Sequence, residues 1–242
     1  MSEKNAKYNS FPNLSPYLSR DRYEDPKEDH KFILNEIKKR CVDGRNYSLC
    51  DLGCAHGDLL YLIKRNFPEW KLTGYDYTKE FIDYAKAFEG LEGVRLICED
   101  IFKVNDKFDF VISDGVTQIF PDIEKTINQY LNICNAGGYV ITTGRFNKYD
   151  IEVRMQYCDN SNDEARGVWR QDWSFHSRKL IRNKFENKVK KLDFLDVIMD
   201  KDLPYNKNMP INQWTFRDSN GKNIITNGTN FILNKTLLMI EK

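Results

Sequence analysis

One stretch, Ser48 to Asp76, limits the fold of this chain more than any other. A short apolar run ends at Asp51, a turn containing Gly53 and Gly57 follows, and a second apolar run ends at Asp76. Between the turn and the second run, apolar residues recur at helical spacing: Leu59, Leu60, Leu62, Ile63 and Phe67. The pattern predicts strand, glycine turn, helix and strand, which is the βαβ unit of a nucleotide-binding α/β sheet.

The same unit predicts a bound ligand. Gly53 and Gly57 let the backbone turn sharply and approach a ligand with no Cβ in the way. The helix predicted to start near Asp58 offers its first N–H groups to that ligand. Asp76 ends the second strand, nineteen positions after Gly57. A carboxylate there is placed to accept hydrogen bonds from both hydroxyls of a ribose.

The turn differs from the dinucleotide fingerprint G-x-G-x-x-G/A. Ala55 stands at the second glycine position and Asp58 at the third, and an acid at the third position would repel a pyrophosphate. Asp51 adds a second negative charge near the same turn. A ligand with an amino cation and no phosphate therefore suits the turn better, and an NAD-dependent oxidoreductase is kept as a less favoured alternative.

Five motifs, in the right order, resemble those of the class I S-adenosylmethionine (SAM)-dependent methyltransferases. The segment Asp51–Gly57, DLGCAHG, resembles their first motif, (D/E)-x-G-x-G-x-G, with Ala55 in place of the middle glycine. The other four segments are Tyr75–Tyr77, Glu99–Ile101, Phe108–Asp114 and Ala136–Ile141. The resemblance covers residues 45–145. It implies an α/β fold with a Rossmann-like, seven-stranded, mostly parallel sheet, helices on both faces and an antiparallel last strand.

The resemblance also implies SAM as the cofactor and indicates which residues hold it. Tyr77 would pack on the adenine ring, Asp100 would accept a hydrogen bond from the adenine amino group, and Ile101 would offer its backbone N–H. A solvent-exposed Tyr77 and an Asp100 that only caps a loop are the alternatives. The predicted cofactor-binding residues are Asp51, Gly53, Cys54, Ala55, Gly57, Asp76, Tyr77, Asp100, Ile101 and Ser113.

Composition narrows the classes of function. The net charge of +1 gives no electrostatic case for a nucleic-acid partner, and no apolar run is long enough to span a bilayer. The six cysteines form no CxxC pair, which predicts reduced thiols, no metal site and a cytoplasmic location. A homodimer is left open.

Three regions are predicted along the 242 residues. Residues 1–40 contain an N-terminal arm, either disordered or a lid, and a helix; residues 41–145 form the SAM-binding core. Residues 146–242 hold a variable substrate region and the C-terminal strands of the same domain. The elements predicted in this last region are a basic helix at Lys179–Val189 capped by Ser177, a hairpin that begins at Trp214, and strands at Phe194–Met199, Phe231–Leu233 and Thr236–Ile240.

A hydroxyl acceptor would require a general base, and histidine suits that role near neutral pH. His176 lies in a segment rich in tryptophan and arginine that is predicted to be a substrate lid, so His176 is the predicted base. An exposed histidine at a helix start is the alternative. Asp114, directly after the fourth strand, is predicted to be a base, a substrate ligand or a turn cap. His30 is predicted to lie on the surface, and His56 to shape the cofactor pocket.

The acceptor is predicted to be a polar or anionic small molecule. The sequence after the fourth strand lacks the (N/D)-P-P-(Y/F) motif, which disfavours methylation of a base nitrogen. Arginines and tryptophans such as Trp169, Arg170 and Trp173 suit phosphate, carboxylate or sugar groups. A loose resemblance of the tail to bacterial methyltransferases of surface-polysaccharide biosynthesis predicts O-methylation of a sugar, sugar nucleotide or phosphate-containing precursor. N-methylation of a small metabolite and a non-catalytic SAM-binding or interaction protein remain alternatives.

Overall fold

The computed structural model describes residues 22–158, 160, 166–167, 169–171, 173–197, 201–206, 213–226 and 236–242. Two predictions lie outside the described residues: most of the N-terminal arm, residues 1–21, and the strand at Phe231–Leu233. Whether the arm acts as a lid therefore stays a prediction for those residues.

A seven-stranded sheet forms the centre of the molecule. Its inner strands are nearly continuous apolar runs, as expected for strands buried under helices on both faces. The seven strands are β1 (Ser48–Leu52), β2 (Lys71–Asp76), β3 (Arg95–Cys98), β4 (Phe108–Ser113), β5 (Cys134–Gly144), β10 (Lys191–Asp196) and β13 (Thr236–Glu241). Their spatial order is β10-β13-β5-β4-β1-β2-β3. The intervening numbers belong to short strands outside this sheet.

The last strand runs against its neighbours. β13 lies between β5 and β10 and pairs antiparallel with both, whereas the pairs among β1 to β5 are parallel. The predicted fold is confirmed. The strand predicted at Phe194–Met199 instead begins at Lys191. The alternation of Lys191, Leu192 and Asp193 suits an edge strand with one face in solvent, and a search for apolar runs misses that pattern.

Helices cover both faces of the sheet. Three pack on one face, namely α1 (Glu28–Lys38), α2 (Asp58–Asn66) and α3 (Lys79–Lys86), and two on the other, namely α4 (Ile123–Ile133) and α5 (Arg178–Phe185). The apolar stripes of these helices supply fully buried side chains such as Ile37, Ile63 and Ile127. Each such side chain contributes about 1.5–3 kcal/mol when removed from water. The sheet edge formed by the carboxyl ends of β1, β2 and β4 stays available for function.

The region after β5 adds short strand pairs. These are β6 (Phe146–Asn147) with β9 (His176–Ser177), β7 (Gln156–Cys158) with β8 (Trp169–Gln171), and β11 (Trp214–Arg217) with β12 (Asn223–Thr226). The last pair confirms the predicted hairpin. Ser177 caps α5 by accepting from the N–H of Leu180 at 3.1 Å, as predicted. The division into three regions stays a prediction.

None of the helices in the described ranges has both the length and the apolar character that a membrane crossing demands.

Candidate active site

The loop after β1 has a backbone that demands small residues. Gly53 and Gly57 have φ of +79° and +85°, and Ala55 has φ of +46°. Left-handed φ costs an ordinary L residue about 1–2 kcal/mol, so Ala55 carries strain at the position of the middle glycine in the (D/E)-x-G-x-G-x-G pattern. The N–H groups of Gly53 and Cys54 donate to the Tyr75 carbonyl at 2.7 and 3.0 Å. These bonds fix the loop against the end of β2.

Asp76, at the end of β2, organises the same loop. Its carboxylate accepts from the N–H of Ala55 at 2.9 Å and from the N–H of Thr78 at 2.8 Å. Burial raises the pKa of Asp76, and the two backbone N–H groups only partly offset this effect. A carboxylate that holds both the turn and the start of α3 is fixed in position, which suits the predicted contact with a ribose.

Asp51 is a buried acid, and the surrounding protein does not offset the cost of burying its negative charge. It is 3 % exposed, and its Oδ1 has no hydrogen-bond partner among the described residues. Burial raises its pKa well above the ordinary value, and the negative charges of Asp114 and Asp58 add to the effect. A ligand cation at this point would relieve the cost. SAM carries an amino cation, so the buried Asp51 carboxylate fits that cofactor.

His30 is not on the surface, and that prediction is wrong. The side chain is buried, and Nε2 lies 3.1 Å from Asp114 Oδ2. Asp114 also accepts from the hydroxyl of Thr143 on β5. Burial would raise the pKa of Asp114, but the hydrogen bond and charge of His30, together with Lys27, hold it below the ordinary value. An ionised Asp114 can only accept a hydrogen bond, which favours the tautomer of His30 that carries its proton on Nε2.

The sequence contains a signal for this burial. His30 precedes Ile33 by three positions and Ile37 by seven, which is the spacing of one helix face. Both isoleucines are fully buried. Reading His30 as part of the apolar stripe of α1 would have placed it against the sheet.

A second acid connects His30 to the cofactor loop. Asp58 Oδ2 lies 3.8 Å from His30 Nδ1, 3.9 Å from His56 Nε2 and 3.6 Å from Lys27 Nζ. Burial would raise the pKa of Asp58, but the charge of Lys27 lowers it, and the two histidines add to this effect when they are protonated. Neither ring nitrogen of His56 has a hydrogen-bond partner within the described ranges. Burial lowers the pKa of His56, so its neutral form is favoured.

The segment before α1 covers this loop. The Tyr23 hydroxyl donates to the His56 carbonyl at 2.8 Å, and the Tyr23 ring stacks on Phe88 with 3.9 Å between centroids. The edge of Tyr61 meets the same ring at 5.4 Å. Residues 22–27 therefore pack over the turn that carries the predicted cofactor site.

The predicted adenine contacts occupy the neighbouring strand ends. Tyr77 is 60 % exposed, as the solvent-edge alternative describes. The Asp100 carboxylate accepts from the N–H of Phe102 at 3.0 Å and so caps a short 3₁₀ turn that begins at Ile101. The Ser113 hydroxyl pairs with the Tyr130 hydroxyl at 3.0 Å inside the core. Contacts of these residues with a cofactor stay predictions.

His176 is buried, unlike the exposed histidine at a helix start that the alternative describes. It is 1 % exposed, and Nε2 donates to the Phe120 carbonyl at 3.1 Å. Its Nδ1 lies 3.5 Å from Glu152 Oε1. Burial lowers its pKa. Both ring nitrogens already face protein acceptors, which weighs against His176 as a base; its catalytic role stays a prediction.

Fold and site together define a class I SAM-dependent methyltransferase. Four features support this class: the strand order, the antiparallel β13, the strained loop after β1 and the acid at the end of β2. The sequence profile of a family described as "Methyltransferase domain" matches residues 43–207, and the chain belongs to that family. SAM is the cofactor of this class.

Curated relatives are similar over part of their length. The chain is 25 % identical over 130 residues to a malonyl-[acyl-carrier protein] O-methyltransferase of Bacillus cytotoxicus, which is 52 % of this chain and 46 % of that protein. It is 25 % identical over 113 residues to a fatty-acid O-methyltransferase of Mycolicibacterium smegmatis, which is 46 % of this chain and 40 % of that protein. The chain spans less than half the length of these relatives.

A solved structure shows the same fold. The magnesium protoporphyrin IX methyltransferase of Synechocystis PCC 6803, crystallised with bound SAM, superposes with a TM-score of 0.53 at 13 % identity. The match covers 89 % of this chain and 80 % of that one. At this identity the likeness concerns the fold alone.

Proposed function

We propose that this protein transfers a methyl group from SAM to an oxygen atom of a small polar acceptor, with a hydroxyl as the first candidate. The observation that carries the proposal is the buried pair of His30 and Asp114 at the carboxyl end of β4. In doubly wound sheets, ligands bind at such strand ends. A histidine held by a carboxylate is a standard arrangement for taking a proton from a weakly acidic nucleophile.

The geometry of the side chains supports the following roles. SAM, when bound, supplies a methyl group on a sulfonium that is a good leaving group. Asp76 would hold the ribose, and Asp51 would face the amino cation. In neutral His30, Asp114 would favour the tautomer with its proton on Nε2, which would leave the Nδ1 lone pair as the proton acceptor for a hydroxyl. The packing of residues 22–27 over the loop would exclude water from the reaction.

A carboxyl oxygen is the second candidate acceptor. The curated relatives are named for O-methylation of malonyl-[acyl-carrier protein] and of fatty acids, both of which carry a carboxyl group. A carboxylate is already ionised at neutral pH and needs no base. Methylation of a sugar-containing precursor of a surface polysaccharide stays a prediction that rests on the loose resemblance of the tail alone.

A screen first identifies the acceptor by measuring methyl transfer with mass spectrometry. It covers sugars, sugar nucleotides, phosphorylated metabolites, fatty acids and malonyl thioesters. Two variants then test the proposed base. If His30 is the base, His30→Gln should keep its affinity for S-adenosylhomocysteine and lose about 10²–10⁴-fold in turnover. His176→Gln should keep turnover within a few-fold. Loss of turnover in the second variant alone would make His176 the base.

The chemistry of the product separates the two acceptors. A methyl ester is hydrolysed by mild alkali, whereas a methyl ether survives. An alkali-labile product, with unchanged turnover in His30→Gln, would select the carboxyl candidate. Transfer to nitrogen, or no transfer to any acceptor despite tight binding of S-adenosylhomocysteine, would refute O-methylation.

A further inference from the structure

The imidazole of His30 lies between two carboxylates. On one side, Nε2 is 3.1 Å from Asp114 Oδ2, which is a hydrogen bond. On the other side, Nδ1 is 3.8 Å from Asp58 Oδ2, which is too long for one. His30 and Asp58 are only 1 % and 3 % exposed, and neither Nδ1 nor Asp58 Oδ2 has a hydrogen-bond partner among the described residues. A buried carboxylate therefore faces the ring nitrogen that the proposed reaction uses.

Two packed helices fix the distance between Asp58 and His30. Asp58 is the first residue of α2, and its Oδ1 accepts from the N–H of Leu59 at 3.1 Å. That bond holds one carboxylate oxygen against the first turn of α2, while Oδ2 faces α1. Leu60 on α2 and Ile33 on α1 are fully buried in the same core cluster. The backbone of both helices is therefore anchored, and neither group can move away without disturbing the core.

Asp58 carries a negative charge at neutral pH. Burial would raise its pKa, but the charge of Lys27, 3.6 Å from Oδ2, outweighs this effect and lowers the pKa. The Lys27 side chain is 35 % exposed, so water weakens its attraction for the carboxylate. Burial lowers the pKa of His56, so its neutral form does not cancel the charge. The charged or titratable groups of this cluster are, among the described residues, Lys27, Asp51, His56, Asp58 and Asp114.

We propose that Asp58 is a positioning residue whose negative charge makes His30 a stronger base. The inference rests on the proposed function, because it takes a hydroxyl as the group that gives its proton to His30 Nδ1. The hydroxyl oxygen bonds to the methyl carbon as its proton moves to Nδ1, and the electron pair of the broken carbon–sulfur bond stays on sulfur. His30 becomes an imidazolium, with Nε2–H on Asp114 and Nδ1–H facing Asp58.

The contact with Asp58 changes sign during the proton transfer. While His30 is neutral with its proton on Nε2, the Nδ1 lone pair faces a negative oxygen at 3.8 Å, which is unfavourable. As the proton arrives, Nδ1 becomes a positively charged donor, and the same separation becomes attractive. An interaction that strengthens only as charge develops stabilises the transition state more than the ground state, and it therefore lowers the barrier.

The first test needs no acceptor. It follows the histidine side-chain nitrogens by NMR in the full chain saturated with S-adenosylhomocysteine, and His30→Gln assigns the His30 signals among the three histidines. Asp58→Asn should move the midpoint of His30 protonation to lower pH by about one unit. Lys27→Met should move it to higher pH, because it removes a nearby positive charge. Asp83→Asn, an exposed acid paired with Lys79 on α3, is the matched control and should leave the midpoint unchanged.

The second test is the pH dependence of turnover, with the acceptor from the screen and SAM at a saturating concentration for each variant. Turnover requires neutral His30, so it rises as pH rises through the protonation midpoint. Asp58→Asn should move this rise to lower pH and reduce the plateau about three- to tenfold, because a weaker base removes the proton more slowly. Lys27→Met should move the rise to higher pH. A purely structural role of Asp58 would lower the plateau and leave the position of the rise unchanged.

An unmoved midpoint in Asp58→Asn would overturn the inference and leave His30 as the proposed base. Should Asp58→Asn fail to fold, Lys27→Met decides, since an unmoved midpoint or a shift to lower pH in that variant would have the same meaning. Unchanged turnover in His30→Gln would instead refute the proposed base, and the inference would fall with it.

Discussion

At the scale of single residues, the site is dominated by buried acids, and these differ in how far neighbouring groups stabilise their negative charge. Asp114 and Asp58 face histidines or a lysine, and both have lowered pKa values. Asp51 lies among like charges, and its pKa is raised. The carboxylate charge is therefore stabilised at Asp114 and Asp58 and destabilised at Asp51. A cationic ligand would gain most from binding beside Asp51.

Asp51→Asn is expected to stabilise the ligand-free protein. The folded-state pKa lies above the unfolded value, so the unfavourable contribution is absent below the unfolded pKa and develops as pH rises through the folded pKa. The variant should exceed the wild type by about 1 kcal/mol in unfolding free energy at neutral pH. That difference should vanish near pH 4, and affinity for S-adenosylhomocysteine should fall. Urea titrations at several pH values measure the first effect.

Asp43→Asn, an exposed acid, serves as the control and should change stability by less than about 0.5 kcal/mol. A destabilised Asp51→Asn at neutral pH would contradict the assignment of Asp51 as a strained acid.

At the scale of elements, the loop after β1 is tightly constrained. A Cβ built on Gly53 would lie 2.3 Å from Val116 Cγ2, whereas a Cβ on Gly115 would meet no atom within 4 Å. The two glycines have similar φ, +79° and +73°. Substitution by alanine would therefore incur a similar backbone strain at both glycines, but a steric clash at Gly53 only.

Gly53→Ala should therefore destabilise the protein by about 1–3 kcal/mol more than Gly115→Ala, the range expected for overpacking. Adding Val116→Ala to Gly53→Ala should recover most of that excess, because it removes the methyl group that the new Cβ meets. Denaturant unfolding of the wild type and these three variants measures the differences. Equal destabilisation by the two glycine substitutions would show that backbone strain alone matters.

Prediction from sequence succeeded for elements with a local signature. The βαβ unit, the helices on both faces and the β11–β12 hairpin follow from apolar periodicity and turn residues. It failed where tertiary packing decides. His176 is buried because the turn at Phe120 offers its ring an acceptor, and that turn lies 56 positions away. The pairing of His30 with Asp114 across 84 positions is invisible in either local segment.

At the scale of the whole molecule, the fold and the cofactor site lead to a prediction about ligand choice. S-adenosylhomocysteine at 100 times its dissociation constant should stabilise the protein by about 2.7 kcal/mol. For a chain of this length that corresponds to a rise in Tm of about 5–10 °C. NAD should give no rise, and Asp76→Ala should lose most of the response. A shift with NAD that exceeds the shift with S-adenosylhomocysteine would revive the oxidoreductase alternative.

The position of β13 has a consequence for how the chain is made. Residues 236–241 occupy the gap between β5 and β10 and supply the hydrogen-bonding partner of each. During synthesis, both of those strands leave the ribosome before the segment that joins them. Until β13 emerges, β5 is an unpaired edge of the nascent sheet and β10 has no strand to pair with, so this interval is when chaperone protection would matter most.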